Sequence, residues 1–96
     1  MPKLTTGSKT VTAAGTRERL VAVASSVSVR GVSITAKPTN TGKVYLGDST
    51  VASTNTPPIA AGDDVALGGG DPLNLADIYI DVQVSGEGVD WIAVDA

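Results

Sequence analysis

The groups that do most protein chemistry are missing from this chain, which has no histidine and no cysteine in 96 residues. Without imidazole it lacks the commonest general base and the commonest nitrogen ligand for a metal. Without thiols it has no disulfide framework and no thiolate site. The nucleophiles left are Ser, Thr and Lys, with no imidazole to activate them. Carboxylates are plentiful, and a glycosidase needs only two facing each other across a cleft, but a domain this small gives little room for a cleft. We therefore expect no enzymatic activity and no cofactor.

The carboxylates that could hold a hard cation are Asp63 and Asp64, adjacent in sequence, and Asp77 with Asp81, which share a strand face with Tyr79 between them. Ca²⁺ takes six to eight oxygen ligands from such groups. No stretch has the spacing of an EF-hand loop. The plainer alternative is a solvated acidic face, or carboxylates paired with Arg17, Arg19 or Arg30 on a neighbouring strand. Gly7-Ser8-Lys9-Thr10 ends like a phosphate-binding loop but lacks the Gly-Lys step, the earlier glycine and the following helix. Gly68-Gly69-Gly70 likewise precedes no helix that could present amides to a phosphate. Tyr45, Tyr79 and Trp91 are the only aromatic residues. Each could stack on a sugar, but a lone tryptophan is more often a core or interface residue, and Trp91 is read here as one of those.

The elements that must position these residues are strands. Thirteen Val, five Ile and six Leu, with no Phe, give an aliphatic core, and the abundance of Val, Thr, Ser and Gly disfavours helix. Short apolar runs alternate with turn chemistry at close spacing, an all-β pattern. Ile78, Ile80, Val82 and Val84 alternate with Tyr79, Asp81 and Gln83, so these four are expected to face the core. In Ser26–Lys37, Val27 and Val29 have one parity and Val32, Ile34 and Ala36 the other. Gly31 lies between them, which predicts a bulge or a bend between two sheets. Further runs are Ser8–Ala13, Arg17–Val23, Lys43–Leu46, Ser49–Ser53, Val65–Leu67 and Val89–Val94. The fold expected is an antiparallel β-sandwich or small jelly roll of seven to nine strands over residues 9–96. Residues 1–8 show no periodicity and are set apart as an extended arm, in which Lys3 and Leu4, with Lys9 just beyond, would contact a partner.

Charge is divided along the chain. All seven Lys and Arg lie in residues 1–43, where Glu18 is the single acid, for a formal +6; residues 44–96 hold nine acids and no base, for −9. Such a chain pairs with itself or docks on copies of itself or on an acidic partner. Arg17, Arg19 and Arg30 are the expected partners of the acids. The net charge of −3 argues against a nucleic-acid binder, which needs a basic face. No apolar run of about 18 residues is present to span a membrane. The first seven residues contain no apolar stretch of the kind a secretory signal needs, so synthesis without export is expected.

Three stretches resemble small virion proteins of tailed bacteriophages: Gly42-Lys43-Val44-Tyr45-Leu46-Gly47-Asp48-Ser49-Thr50-Val51, then Pro58-Ile59-Ala60-Ala61-Gly62-Asp63-Asp64-Val65-Ala66-Leu67, then Leu75-Ala76-Asp77-Ile78-Tyr79-Ile80-Asp81. The pattern is one of strands and turns and covers roughly residues 27–94. The resemblance implies a β-sandwich of the head decoration (cement) or head-fibre type, made in the host cytoplasm. It would assemble as a homo-oligomer, commonly a trimer, on the major capsid protein at the virion surface. The contacts would come from Lys3, Leu4, Lys9, Arg17, Arg19, Arg30 and Trp91. The other function weighed is a carbohydrate- or receptor-binding module of a fibre or tail, for which Trp91 or a tyrosine would have to be exposed.

Overall fold

The computed structural model describes residues 4–25, 28–51 and 58–95, with the side chains of 25 and 69–71 left aside. Among them are eight strands: β1 (Leu4–Thr10), β2 (Glu18–Arg19), β3 (Ser28–Ala36), β4 (Val44–Gly47), β5 (Pro58–Ile59), β6 (Asp64–Asn74), β7 (Tyr79–Val82) and β8 (Gly88–Asp95). They form two four-stranded antiparallel sheets, ordered β1-β8-β3-β6 and β2-β7-β4-β5. The molecule is a small all-β sandwich, as its composition predicts.

Period-two alternation fills the space between the sheets. Val32, Ile34, Ala36, Val89, Trp91 and Ala93 project inward from the first sheet; Val44, Ile59, Ile80 and Val82 meet them from the second, with Leu20, Leu75 and Ile78 beside them. Of the four residues expected to face the core from β7, Val84 does not, being 39% exposed. The strand ends at Val82, and the chain turns at once through Ser85 and Gly86, so the alternation outlasts the strand. Gly31 marks a bulge, with the register of β3 against both β6 and β8 shifting between Val29 and Gly31. The extra residue brings Val29 onto the same inner face as Val32 and Ile34, so β3 stays in one sheet and does not bend between two.

Residues 4–8 are not an arm apart from the domain. They belong to β1, which pairs with β8 from Leu4↔Val94 to Thr10↔Gly88. The strand shows no apolar rhythm because its inward positions are Thr5, Gly7 and Lys9. Gly7 lies directly beneath the Trp91 indole, and a Cβ there would stand 2.7 Å from Cζ2. Here the partner strand supplies the hydrophobic group, in the manner of a cross-strand aromatic covering a glycine. At the far end of the same pair, a Cβ on Gly88 would fall 1.9 Å from the Lys9 carbonyl oxygen, so only glycine lets β1 and β8 close there.

The topology also accounts for the divided charge. In both sheets every hydrogen-bonded neighbour of a strand from the first half of the chain (β1 to β4) is a strand from the second half (β5 to β8). In the first sheet the strands of the basic segment, β1 and β3, interleave with those of the acidic segment, β8 and β6, whereas in the second sheet β7, β4 and β5 all lie in the acidic segment and only β2 in the basic one. Lys37 Nζ reaches Asp90 Oδ1 at 2.6 Å across the β3–β8 pair, joining the halves directly. The expected pairing of the arginines with acids is not found among the described residues. The two ion pairs there belong to lysines, Lys37 with Asp90 and Lys9 with Glu18 at 2.9 Å.

Candidate functional site

The four expected metal ligands do not converge, and no group of three or more acidic residues able to hold a cation occurs among the described residues. Asp63 and Asp64 are exposed at the turn into β6, and Asp77 is exposed on a short 3-10 turn. Asp81 is buried instead, opposite Tyr45 in the second sheet. Its Oδ1 accepts from the Gly15 N–H at 3.0 Å and from its own neighbour's Val82 N–H at 2.8 Å. The carboxylate thereby pins the 12–17 loop across the outer face of that sheet. A recess of about 330 Å³ remains beside it, lined by Ala14, Gly15, Tyr45, Asp81, Val82 and Gln83.

Other carboxylates also hold backbone. Glu87 accepts from the Thr41 N–H at 2.7 Å, the Gly42 N–H at 2.9 Å and the Thr41 hydroxyl at 2.9 Å. The Thr41 backbone bond, followed by that of Gly42, holds its carboxyl below the ordinary glutamate range. Glu18 is lowered chiefly by the hydrogen bond from Lys9 and next by the Thr12 N–H, which it accepts at 2.8 Å. Asp48 is lowered by the Thr50 hydroxyl and then by the Thr50 N–H, in a tight turn of its own. Hydrogen bonds to the charged form favour it. These acids close loops, and none of the three faces a second carboxylate. Sequence reasoning missed this use of them because the partners are amides 45 to 66 residues away or in irregular turns.

The residues expected to touch a partner are scattered. Leu4 is 61% exposed at the start of β1. Lys9 is engaged with Glu18. Arg17 and Arg30 are exposed. Arg19 lies over the Tyr79 ring, 4.9 Å from its centre, and donates to the Ala76 carbonyl at 2.7 Å. Trp91 is buried in the core, and its Nε1 makes no hydrogen bond to a described residue. Lys3 lies outside the described residues. With Tyr45 also buried and Tyr79 beneath an arginine, the aromatic rings form no open stacking platform.

Among the described residues, the face left uncovered is the outer side of the β1-β8-β3-β6 sheet. Its central row runs Thr6, Ile92, Ser33 and Ala66 in register across the four strands. Leu4, Ile92 and Val94 stand on it at 61%, 45% and 36% exposure, three of the five exposed large apolar residues among those described. Between them Gly31 and Ser33 floor a shallow concavity of about 330 Å³. Exposed apolar surface gathered in one place, with small residues at its centre, has the chemistry that contact surfaces use. Comparison of the chain with family models, with curated proteins and with solved structures gave no match.

Proposed function

We propose that this chain is a non-enzymatic structural protein of a tailed-bacteriophage virion, a decoration protein that self-associates on the capsid and stabilises the head. The supporting observation is the uncovered outer face of the β1-β8-β3-β6 sheet, set in a molecule in which Asp81 and Glu87 close its own loops. The strand-and-turn pattern shared with small virion proteins supplies the virion part of the reading.

The test is to add purified protein to particles that lack it. Saturable binding to the capsid and a raised disruption temperature of the head are expected. Absence of binding sinks the reading. A parallel titration with host polysaccharide, followed by tryptophan emission and by calorimetry, addresses the receptor-binding alternative, and tight glycan binding without capsid binding would replace the proposal with it.

A further inference from the structure

We infer that the outer face of the β1-β8-β3-β6 sheet is a self-complementary surface that takes a second copy of this chain about a two-fold axis. The argument rests on how charge is laid out around the apolar centre. At one end of the face the row Ser8, Asp90, Thr35 and Asp64 places two carboxylates on either side of Thr35. Asp90 is partly neutralised by Lys37, whereas Asp64 is exposed and makes no ion pair among the described residues. At the other end, beside Gly31, the bulge leaves Arg30 exposed between the buried Val29 and Val32, again without an ion pair.

A two-fold axis lying in the face, across the strands and along the central row, sets each strand against its own copy and exchanges the two ends. Ile92 then meets Ile92, Ser33 meets Ser33 and Ala66 meets Ala66. The end of β3 bearing Arg30 falls over the partner's Thr35, between the partner's Asp64 and the partner's Asp90. Both copies make this contact, as an isologous interface requires. The opposite choice, an axis parallel to the strands, would keep both copies of Arg30 at one end of the interface and both Asp64–Asp90 rows at the other, so the opposite charges would not meet. The small residues in the middle allow two sheets to approach to the roughly 10 Å of ordinary face-to-face packing.

The size sets the strength. Four strands about 4.8 Å apart and about seven residues long give a face of roughly 450 Å² per copy, near half of a standard interface. A face this small belongs with weak, transient contacts, so association in dilute solution is expected to be weak. Copies held close together on a particle would feel it far more strongly than copies in dilute solution. The inference deepens the assembly reading above and rests on it for self-association only. It specifies pairs, where the resemblance implies trimers.

Sedimentation equilibrium of the full chain up to about 2 mM, with Arg30→Glu and Asp64→Lys as separate variants and then mixed, tests it. The wild type is expected to form dimers. Each variant alone should dimerise at least tenfold more weakly. Mixing the two should recover affinity to within about threefold of wild type, because the mixed pair keeps one native contact and gains one reversed contact. Both side chains are exposed, so unchanged circular dichroism and melting are expected. If either variant fails to fold, Arg30→Gln and Ile92→Lys serve in its place, each expected to weaken dimerisation at least threefold. A monomer at 2 mM, a trimer, or a mixture no stronger than its parts would overturn the inference. Capsid binding by a strictly monomeric protein would overturn it while leaving the assembly reading standing. Dimers that ignore particles would do the reverse.

Discussion

The two sheets of this sandwich treat their outer faces in opposite ways. On the β2-β7-β4-β5 sheet the outward residues Tyr45 and Asp81 are buried, because the 12–17 loop crosses them and Asp81 holds the Gly15 amide. On the β1-β8-β3-β6 sheet no such strap occurs among the described residues, and Leu4, Ile92 and Val94 face solvent. The edges differ as well. The covered sheet ends in two-residue strands, one of them containing Pro58, which blunts pairing with other chains. The bare sheet ends in strands of seven and eleven residues. One outer face is covered by its own chain, and the other is bare among the described residues.

The largest effect should come from breaking the bare sheet at its tightest point. Gly88→Ala places a methyl group against the Lys9 carbonyl and forces β1 away from β8. A loss of roughly 3 kcal/mol is expected in urea unfolding. An Ala variant as stable as wild type would mean that the two strands do not close as described.

Next is the strap on the other sheet. Asp81→Ala removes the acceptor for two backbone N–H groups, and hydrogen bonds to a charged group contribute about 2 kcal/mol. The loss should be accompanied by faster amide exchange in 12–17 and not in β3. Uniformly faster exchange would show that the loop is no separate cover.

Acid should act on the same side. Glu18, which holds the Thr12 amide at the root of the strap, and Glu87, which holds Thr41 and Gly42, both have carboxyls below the ordinary value of 4.5. A folded pKa below the unfolded one stabilises the fold above the unfolded value, and that stability is lost as pH falls through the folded pKa. Melting temperature is therefore expected to hold steady from neutral pH down to about 5 and to decline below about 4.5. Glu87→Gln should flatten the decline. An equally steep decline in that variant would assign the acid response to other groups.

The smallest effect on folding is expected at the centre of the bare face. Ile92→Thr touches a residue already 45% exposed and should change stability by less than about 0.5 kcal/mol, while reducing self-association. Substantial destabilisation by this change would make Ile92 part of the core and remove the contrast between the two faces.

Much of the sandwich was legible because burial imposes a period of two that the sequence carries openly, as in Ile78, Ile80 and Val82. The bulge at Gly31 was legible for the same reason, as a break in that period. Legibility failed where the partner of a residue was distant or of another type. Nothing within residues 4–8 indicates a strand, since its buried contact is a glycine under the indole of Trp91, some eighty positions away. The arginines looked like partners for acids, yet Arg19 chose an aromatic ring and a carbonyl, and the carboxylates chose amides. The division of charge was plain in the chain. Its meaning, basic and acidic strands alternating in the β1-β8-β3-β6 sheet, required the topology.

The Trp91 indole packed on Gly7 makes the protein carry its own optical gauge. The chain has one tryptophan and two tyrosines, so emission excited at the red edge, where tyrosine does not absorb, is read from a single place, the inner side of β1. A copy settling on the outer face of the sheet should leave that emission where it is. A chain that pairs with β8 by levering β1 out would uncover the ring and shift the light to the red. The colour of one side chain thus tells apart two modes of assembly that would look alike by mass.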